Sequence, residues 1–421
     1  MQLKSLSISN LFGAFSYSID FQSVSQPFLI TGPNGYGKTT ILTIIDNIAK
    51  KNLIYFFQLP FERIALGFDN SQMLSIQAKI VSVEEKAEKD AILEGEKEIA
   101  FEWTNEGALI STFVLNKNLI RKAARNIGYY SGRRLETYDF NSDSFLSFVG
   151  SNDRFYDIIA KELGQTTFLM LLSNLSSTFI KAQRINFDAE KNESSIEGVV
   201  ANLKSILRND QFNYLTDAER HDNAFIDKLL SSSIRYSKTE YEALAKEMEV
   251  SIGELKRFGL INSFKLPEYT EGKAEILTAY VNDVREKLVN YKATIEKLRL
   301  FSALLEKKKF VNKSVSYSPA FGLRVRSNQG GLINVNKLSS GEQNEIIMLY
   351  NFIYNVSDNS ILLVDEPENS LHVVWQEEFI NDIEEIAKAK KMQVIIATHS
   401  PQILGSKWKD SYDLYENNTQ R

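Results

Sequence analysis

The sequence predicts an α/β fold in which a parallel sheet with flanking helices is joined to an antiparallel β lobe and to a helical, coiled-coil-like insertion. Three observations lead to this prediction. Short apolar segments alternate with helical patterns at both ends of the chain, which is typical of a parallel sheet. Strand-like segments follow one another between residues 61 and 115. Between residues 274 and 309, apolar residues recur at alternating spacings of four and three, the pattern of a coiled-coil seam.

The first lobe, residues 1–141, holds the beginning of the parallel sheet and the antiparallel strands. We predict an apolar strand from Leu3, a short buried strand Phe28–Thr31, a glycine-rich loop and a helix Thr39–Lys50. The antiparallel strands are predicted at Phe61–Phe68, Leu74–Val83, Ile99–Trp103 and Ile110–Leu115. The charged run at residues 84–98 is interpreted as a solvated hairpin or short helix.

The insertion, residues 142–310, is predicted to be helical. Its seam residues are Leu277, Val281, Val284, Leu288, Tyr291, Ile295, Leu298 and Leu305. Only Ser302 interrupts the series, so we predict one long helix over 274–309, roughly 50 Å long at about 1.5 Å per residue. A second apolar series marks an antiparallel partner helix and comprises Tyr241, Leu244, Met248, Ile252 and Leu255. A short helical arm projecting from a nucleotide-binding head is the sharper interpretation, and a plain helical packing module is the simpler one.

The last lobe, residues 311–421, returns to alternating strands and helices. The predicted elements are a strand Ser314–Val325, a helix Glu342–Val356, a strand Ile361–Val364, a helix Trp375–Lys388 and a strand Gln393–Ala397. Strands that alternate with helices in this way predict a continuation of the parallel sheet.

Composition excludes several classes of protein. The 421 residues include 54 acidic and 49 basic side chains, for a net charge of −5, so the surface as a whole is not basic. The absence of cysteine excludes disulfides, thiolate zinc sites and cysteine nucleophiles, and fits a reducing cytoplasm. No run approaches about 18 apolar residues, so we expect no transmembrane helix and no membrane partner. The N-terminus alternates like a strand and lacks the apolar block of a signal peptide.

A phosphate-binding loop lies between the first buried strand and the helix that follows it. Gly32-Pro-Asn-Gly-Tyr-Gly-Lys-Thr39 fits the P-loop (Walker A) pattern in the context that validates it. Glycines allow successive backbone N–H groups to surround phosphate oxygens, and the helix N-terminus favours negative charge. We expect Lys38 to reach the β- and γ-phosphates and Thr39 to ligate Mg²⁺. The predicted nucleotide-binding residues are Gly32, Asn34, Gly35, Gly37, Lys38, Thr39 and Thr40.

Two carboxylates end the buried strand Ile361–Val364. In combination with a P-loop, this strand is predicted to be a Walker B segment. Asp365 would hold Mg²⁺, through a water molecule, and Glu366 would polarise the attacking water as general base. Taken alone, two acids at a strand end carry no function.

The order of the remaining motifs resembles that of the ABC-type ATPases. Leu338-Ser-Ser-Gly-Glu-Gln343 opens a helix 22 residues before the Walker B strand, and Ala397-Thr-His-Ser400 follows the last strand. The resemblance implies that Ser339, Ser340 and Gly341 form a signature that binds the ATP of a second copy. It also implies that His399 senses the γ-phosphate. A helix cap and a structural histidine are the corresponding simpler interpretations.

The long interval between the motifs narrows the resemblance. From Thr39 to Leu338 there are 299 residues, which resembles the SMC, RecF and overcoming-lysogenization-defect class rather than transporter ATPases. The segment from Val364 to Gln376 and the segment Phe179–Arg184 look like the ATPase subunits of the Septu anti-phage system, which also occur with retrons. This resemblance implies that Gln183 completes the Mg²⁺ and water shell. It also implies that Asn369, with Ser370, forms the loop that crosses to the other protomer.

The resemblance also implies the partners. We expect a homodimer or higher even oligomer around ATP and Mg²⁺, and an HNH-type nuclease supplied by a separate chain. Only 21 residues follow Ser400, so we expect no nuclease domain in this chain. Nucleic acid, either phage DNA or retron RNA–DNA, is a further possible ligand.

Two alternatives stay open from sequence alone. The first is a DNA-binding clamp in repair without an effector, using the basic cluster of Arg121, Lys122, Arg125, Arg133 and Arg134. Simple solvated charge explains this cluster equally well. The second is a transport ATPase, which would require a membrane partner.

Overall fold

We describe the chain from a computed structural model. The structure describes residues 1–21, 26–81, 96–126, 154–181, 195–231, 234–261, 265–289, 291–308, 310, 312–369, 371 and 373–419. The chain forms two compact units. The first unit comprises residues 1–183 and 356–421, and the second comprises residues 184–355. These limits follow spatial contacts, and the domain borders that the sequence suggests at 141/142 and 310/311 stay a prediction.

The structure has the following elements. The strands are β1 (Leu3–Leu11), β2 (Phe15–Asp20), β3 (Phe28–Thr31), β4 (Arg63–Phe68), β5 (Gln72–Val81), β6 (Glu96–Asn105), β7 (Ala108–Asn116), β8 (Ser177–Ile180), β9 (Lys313–Ser318), β10 (Gly322–Ser327), β11 (Leu332–Ile333), β12 (Ile361–Asp365), β13 (Gln393–Ala397) and β14 (Tyr412–Asp413). The helices are α1 (Lys38–Ala49), α2 (Tyr55–Gln58), α3 (Lys117–Asn126), α4 (Arg154–Leu163), α5 (Thr166–Leu172), α6 (Ile196–Ser231), α7 (Lys238–Arg257), α8 (Ala274–Val289), α9 (Lys292–Lys307), α10 (Ser340–Tyr350), α11 (Val373–Lys390) and α12 (Pro401–Leu404).

The first unit contains the parallel sheet, in the order β14-β3-β13-β12-β8. Every residue of β12 and β13 is buried, because both faces of a parallel sheet are covered in α/β folds. Helix α1 contacts β8, β12 and β13 and buries Ile41, Ile44 and Ile48. The register pairs Asp365 with Ala397, so the carboxyl ends of β12 and β13 lie side by side. Strands β3 and β13 have the bounds that the sequence predicts.

The first unit also contains the antiparallel sheet, in the order β2-β1-β4-β5-β6-β7. The predicted antiparallel lobe is therefore confirmed, and with it the α/β fold class. Aromatic side chains fill its inner face: Trp103 stacks on Phe68 at 5.5 Å between ring centroids, and Phe113 stacks on Phe168 at 5.3 Å. The contact with Phe168 attaches α5 to this sheet and so closes the core of the unit.

The second unit corrects the prediction of one long helix over 274–309. Helix α8 ends at Val289 and α9 begins at Lys292, so each of the two helices is about 24 Å long. The seam residues are nevertheless buried on both sides of the break, for example Val281 at 1% exposure and Leu298 at 0%. A break that keeps the seam in phase leaves the apolar pattern unchanged, which is why the pattern does not reveal it.

The partner helix is present, but its direction differs from the prediction. Helix α7 packs its Tyr241 and Ile252 against the seam of α8. The backbone N–H of Tyr236, just before α7, donates to the hydroxyl of Thr278, whereas Arg299 in α9 donates to Glu254 near the end of α7. Contacts therefore advance along both segments together, and the predicted antiparallel pairing is wrong.

The parallel arrangement has its cause in the connection between the helices. This connection spans residues 258–273, long enough to return about 50 Å when extended. The hydroxyl of Tyr241 donates to the carbonyl oxygen of Pro267 at 2.7 Å, which places the connection back at the beginning of α7.

The predicted single strand Ser314–Val325 is also wrong, because it is the hairpin of β9 and β10. Pro319 has no N–H to donate to a ladder, and Gly322 adopts a φ of 73°, a conformation that favours glycine. A Cβ at Gly322 would lie 2.3 Å from the carbonyl oxygen of Val200 in α6. The turn therefore brings the backbone of the hairpin close to that helix.

Candidate nucleotide site

The P-loop forms as predicted between β3 and α1. Gly37 has a φ of 88°, a conformation that favours glycine, and a Cβ there would lie 3.3 Å from the side chain of Leu11, which is a tight contact. Lys38 is 5% exposed, and its Nζ donates to the carbonyl oxygens of Gly32 at 2.7 Å and Pro33 at 3.3 Å. The ammonium group therefore lies within the curve of the loop. Asn34 and Gly35 lie exposed in the loop, and Thr40 lies half-buried in the first turn of α1.

Aromatic residues support the outer side of the loop. The hydroxyl of Tyr17 donates to the carbonyl oxygen of Tyr36 at 2.7 Å. The ring centroid of Tyr36 lies 5.2 Å from the ring centroid of Phe15 and 5.7 Å from the ring centroid of Tyr415. Burial raises the pKa of Tyr17, with smaller contributions from Tyr36 and Tyr412, so its hydroxyl remains a donor at neutral pH. These contacts fix the position of the loop before any ligand binds.

The two predicted Mg²⁺ ligands meet across the site. Thr39 Oγ1 donates to Asp365 Oδ2 at 2.8 Å, although 326 residues separate them. Asp365 is 5% exposed, and its second oxygen, Oδ1, is buried and has no hydrogen-bond partner among the residues that the structure describes. A buried carboxylate oxygen without a partner is unfavourable unless a cation or water completes it. The pair therefore fits a Mg²⁺ ion whose other ligands come from phosphate and water.

The electrostatics of Asp365 agree with this interpretation. Burial raises its pKa, and the neighbouring carboxylates of Glu366 and Glu368 raise it further. The hydrogen bond from Thr39 and the charge of Lys38 act in the opposite direction and do not cancel the effect. A divalent cation would reverse the balance, because it favours the ionised carboxylate. Among the described residues, no group of three or more Asp, Glu, His or Cys side chains forms a metal site from protein ligands alone.

Glu366 adopts an unusual backbone conformation. Its φ is 45°, in the left-handed region that costs a residue with a Cβ roughly 1–2 kcal/mol. Its N–H donates to the carbonyl oxygen of Ala397 at 2.8 Å, and its own carbonyl oxygen accepts from the N–H of Asn369 at 3.1 Å. The side-chain amide of Asn369 donates to Glu366 Oε2 at 3.0 Å. The surrounding hydrogen bonds thus hold the predicted base in a strained conformation, as is common at functional sites.

His399 lies beside this carboxylate. Its Nδ1 is 3.6 Å from Glu366 Oε1 and 3.0 Å from Glu368 Oε1, and 52% of its side chain is exposed. The fold therefore brings together the predicted base, the predicted sensor and Asn369. It adds a carboxylate, Glu368, to which the sequence analysis assigns no role.

The segments that follow β12 and β13 pack against each other and bring further polar residues to the site. Thr398 donates to Glu368, and Gln376 and Ser400 are hydrogen-bonded to each other at 2.9 Å. Glu368, Thr398, Gln376 and Ser400 all lie inside segments that the sequence analysis quotes as motifs. Their polar character beside apolar strands is the only sequence signal that marks them.

The predicted signature lies in the second unit. Ser339 caps α10: its Oγ accepts from the N–H of Glu342, whose carboxylate accepts in return from the N–H of Ser339 at 3.0 Å. Lys313 donates to Glu342 at 2.7 Å. Burial, which raises the pKa of Glu342, is outweighed by the hydrogen bonds from Lys313 and Ser339, so this pKa is lowered. Ser340 is exposed and Gly341 half-buried in the first turn; the helix spans Ser340–Tyr350 where the sequence predicts Glu342–Val356.

Several residues with a predicted role in the site or in the basic cluster are not among the described residues. Gln183, Arg184 and Ser370 lie outside the described residues, as do Arg133 and Arg134 of the basic cluster. The side chains of Arg121 and Arg125 are likewise not described. Lys122 lies 3.2 Å from Glu162 as an exposed ion pair.

Comparison with known proteins decides the family. The model of the AAA ATPase domain family matches residues 1–404. The chain belongs to the AAA ATPase domain family. As a member of this family it is a nucleotide-binding ATPase, and the geometry of Lys38, Thr39 and Asp365 agrees with that.

Solved structures provide a second comparison for this AAA ATPase domain protein, whereas no curated protein matches it significantly. One similar structure is the Smc head domain with an extended coiled coil bound to the C-terminal domain of ScpA, from Pyrococcus furiosus, at 14% identity, a TM-score of 0.35, and coverage of 96% of this chain and 90% of that chain. Another is the SMC head domain from Thermotoga maritima, at 12% identity, a TM-score of 0.32, and coverage of 96% and 91%. At these TM-scores neither structure bears on the function of this chain. Among the described residues, no helix is both long and apolar enough to span a bilayer.

Proposed function

We propose that this chain is an SMC-, RecF- and OLD-like regulatory ATPase that closes around ATP and Mg²⁺ as a homodimer or higher even oligomer. The observation that carries the catalytic part is the hydrogen bond from Thr39 to Asp365, whose second oxygen is buried without a partner in the described part of the chain. Thr39 and Asp365 would hold Mg²⁺ there, with Gln183 as a further ligand of the ion and the water. When bound, Mg²⁺ neutralises the charge of the β- and γ-phosphates.

Three side chains of the protein, Lys38, Glu366 and His399, have the remaining roles in the proposed reaction. Lys38 exchanges its bonds to the loop carbonyl oxygens for bonds to phosphate oxygens. Glu366 accepts a proton from the attacking water, because its carboxylate is 24% exposed and Asn369 holds only one of its oxygens. His399 hydrogen-bonds the γ-phosphate from the neighbouring strand end. The ordering of Glu366 and His399 before nucleotide binds reduces the reorganisation that hydrolysis requires.

The dimer completes the site in this proposal. Ser339, Ser340 and Gly341 of one copy would meet the γ-phosphate bound by the other, and Asn369 would cross between the copies. The exposure of Ser340 at a helix N-terminus supports this role, because N–H groups there favour an anion. Contacts that exist only in the closed form make ATP shift the population toward it.

The output of the cycle is the finer part of the proposal. We infer a role in anti-phage defence, in which the ATPase controls an HNH-type nuclease on a separate chain and responds to phage DNA or retron RNA–DNA. The resemblance of the segment from Val364 to Gln376 to Septu ATPase subunits supports it. In the same proposal, lobes 1–141 and 311–421 form the head, and 142–310 is the insertion that transmits closure to the partner.

The base is tested by Glu366→Gln, with Glu377→Gln as the matched control because Glu377 is an exposed carboxylate on α11. We expect Glu366→Gln to abolish ATP turnover while the variant retains ATP and elutes as a larger species in size-exclusion chromatography with light scattering. Glu377→Gln should behave as the parent. Parental turnover in Glu366→Gln would show that Glu366 is not the base.

The composite site is tested by Ser340→Arg, with Gln329→Arg, at an exposed turn of the same unit, as the charge-matched control. Ser340→Arg should prevent both the ATP-dependent dimer and turnover but leave ATP binding intact, whereas the control should change neither. Unchanged turnover in Ser340→Arg would refute the signature in trans. The effector is tested by purification from the native host, in which a nuclease should accompany the wild-type chain and not the Ser340→Arg variant.

A further inference from the structure

A buried carboxylate connects the segments that follow β12 and β13. Glu368 is 8% exposed at its side chain. Its Oε1 and Oε2 accept from the hydroxyl of Thr398, both at 2.9 Å, and Oε1 accepts from the backbone N–H of His399 at 3.0 Å. Nδ1 of the same histidine lies 3.0 Å from Oε1. The hydroxyl of Thr398 and the backbone N–H of His399 are donors, so both oxygens of Glu368 act as acceptors at this position.

The surrounding hydrogen bonds fix this carboxylate in place. The N–H of Ser400 donates to Thr398 Oγ1 at 3.0 Å, so the hydroxyl proton of Thr398 points to Glu368. Gln376 of α11 donates from Nε2 to the carbonyl oxygens of Glu368 and Leu371, and its Oε1 accepts from the hydroxyl of Ser400. Gln376, Thr398 and Ser400 are each more than nine-tenths buried. A fully paired polar network of this kind is rigid.

We propose that Glu368 is the positioning residue of the site, which fixes His399 with the proton on Nδ1 and holds it away from Glu366. This inference rests on the proposed function, in which His399 meets the γ-phosphate and Glu366 is the base. Because Oε1 accepts from the N–H of His399 and lies 3.0 Å from Nδ1, the hydrogen of the imidazole lies on Nδ1, where it meets an acceptor. Nε2 is then the nitrogen that serves the ligand.

The second consequence concerns the base. Glu366 Oε1 is 3.6 Å from Nδ1, beyond hydrogen-bond distance, while Oε2 of Glu366 accepts from Asn369. In the absence of Glu368, Glu366 would be the nearest carboxylate to the imidazole. An ion pair between the two would withdraw the oxygen that must accept the proton of water. Glu368 thus keeps sensor and base apart while both remain next to the γ-phosphate position.

The first test is spectroscopic and needs no nucleotide. The chain has three histidines, so the imidazole nitrogens of ¹⁵N-histidine-labelled protein can be assigned with His399→Gln. We expect the wild-type signal of His399 to show a protonated Nδ1 at the pH where the ring is neutral. In the double variant Glu368→Leu/Glu366→Ala neither carboxylate remains beside Nδ1, so the ring should change to the Nε2–H form, whereas Glu366→Ala alone should keep the wild-type signal. Glu377→Gln, the charge-matched control, should leave the signal unchanged.

The second test separates positioning from folding. Thr398→Val removes the hydroxyl donor at nearly constant volume, and Thr398→Ser restores it. We expect the kcat for ATP to fall at least about tenfold in Glu368→Leu and Thr398→Val, with the KM within about twofold of the parent, and to recover in Thr398→Ser. Circular dichroism identifies any variant that fails to fold.

The outcomes distinguish this inference from the proposed function. An unchanged His399 tautomer in folded Glu368→Leu/Glu366→Ala overturns the positioning role, whatever the turnover. A tautomer change with parental turnover in Glu366→Gln would leave the positioning of His399 intact and refute Glu366 as base. A loss of turnover that appears only in KM, or that Thr398→Ser does not restore, also contradicts the inference.

Discussion

Replacing Asp365 by asparagine tests the charge of this residue at nearly constant shape. At pH values well above its raised pKa, Asp365 carries a charge with one carboxylate oxygen paired to Thr39 and the other buried without a partner among the described residues, next to two further carboxylates. The substitution removes the charge and keeps an oxygen that can accept from Thr39. We therefore expect opposite effects on stability with and without Mg²⁺ and nucleotide.

The magnitude follows from the two oxygens. A buried ionised oxygen without a partner destabilises by about 1–3 kcal/mol, and we take about 2 kcal/mol for its removal. The bond from Thr39 weakens from charge-assisted to neutral, a loss of about 1 kcal/mol. Asp365→Asn should thus stabilise the ligand-free protein by about 1 kcal/mol. Mg²⁺-nucleotide at 100 times its Kd should stabilise the wild type by about 2.7 kcal/mol, so there the wild type is the more stable by about 1.7 kcal/mol.

The assay is urea unfolding followed by tryptophan fluorescence, with EDTA or with Mg²⁺ and a non-hydrolysable ATP analogue. The three tryptophans, Trp103, Trp375 and Trp408, all belong to the first unit, so the signal reports the unit that contains Asp365. If Asp365→Asn is the less stable protein in EDTA, the unpaired oxygen does not destabilise the fold. If the ligand stabilises both proteins equally, Asp365 does not hold the metal.

The same experiment has a defined dependence on pH. The pKa of Asp365 is raised in the folded chain, chiefly by burial. The stability that its protonation contributes is therefore present below the ordinary value of 3.8 and is lost as pH rises through the raised pKa. The advantage of Asp365→Asn in EDTA should be smallest in acid and constant at pH values well above the raised pKa. An advantage that grows toward acid would contradict the sign of this shift.

Three other substitutions test local features by urea unfolding. Glu366→Gly should be more stable than Glu366→Ala by about 1 kcal/mol, because φ at this position is 45°, and the reverse order would refute the strain. Gly253→Ala should stabilise the second unit by about 0.5–1 kcal/mol, observed by circular dichroism, because this glycine lies exposed inside α7 with open space at its Cβ; a loss of stability would contradict that. Lys308→Met should destabilise by about 3–5 kcal/mol, because Lys308 and Glu345 form an ion pair at 3.2 Å with both side chains buried. Adding Glu345→Leu should recover most of that loss, and a double variant no better than the single would show that the charges are not coupled.

The sequence predicts elements well where a pattern has only one structural solution. A short apolar run that ends at a P-loop or at the Thr398-His399-Ser400 segment is a buried parallel strand, so β3 and β13 have their predicted bounds. A seam fixes which residues are buried but not the direction of the partner helix. Tyr241 and Ile252 are buried as predicted, yet the 16-residue connection after α7 makes the pairing parallel. The direction of the partner helix depends on how far the connecting loop runs back along the first helix. The spacing of apolar residues carries no information about that distance.

The contacts of the site are predictable where the known function of the motifs states which residues must meet. Thr39 of the P-loop and Asp365 of the Walker B segment must both reach the same Mg²⁺ ion, and they are hydrogen-bonded in the structure. The role of Glu368 depends instead on the register of β12 and β13, which pairs Asp365 with Ala397. Only this register places a carboxylate three residues beyond one strand against a hydroxyl one residue beyond the other, 30 positions away. A single sequence carries no register between distant strands, so this contact requires the structure.

The end of β12 combines two features that destabilise the ligand-free protein, the strained backbone of Glu366 and the unpaired oxygen of Asp365. A bound cation removes only the second, because the strain is fixed by hydrogen bonds to Ala397 and Asn369 that do not involve the ligand. The two features therefore have different consequences. The unpaired oxygen makes binding of Mg²⁺-nucleotide more favourable, since the ligand removes a penalty that exists before it arrives. The strain is present in both states and so adds nothing to affinity, but it directs the carboxylate of Glu366 toward the side where Asn369 and His399 lie. Affinity and orientation are thus set by adjacent residues through separate physical terms, and substitutions at Asp365 and Glu366 should affect binding and turnover separately.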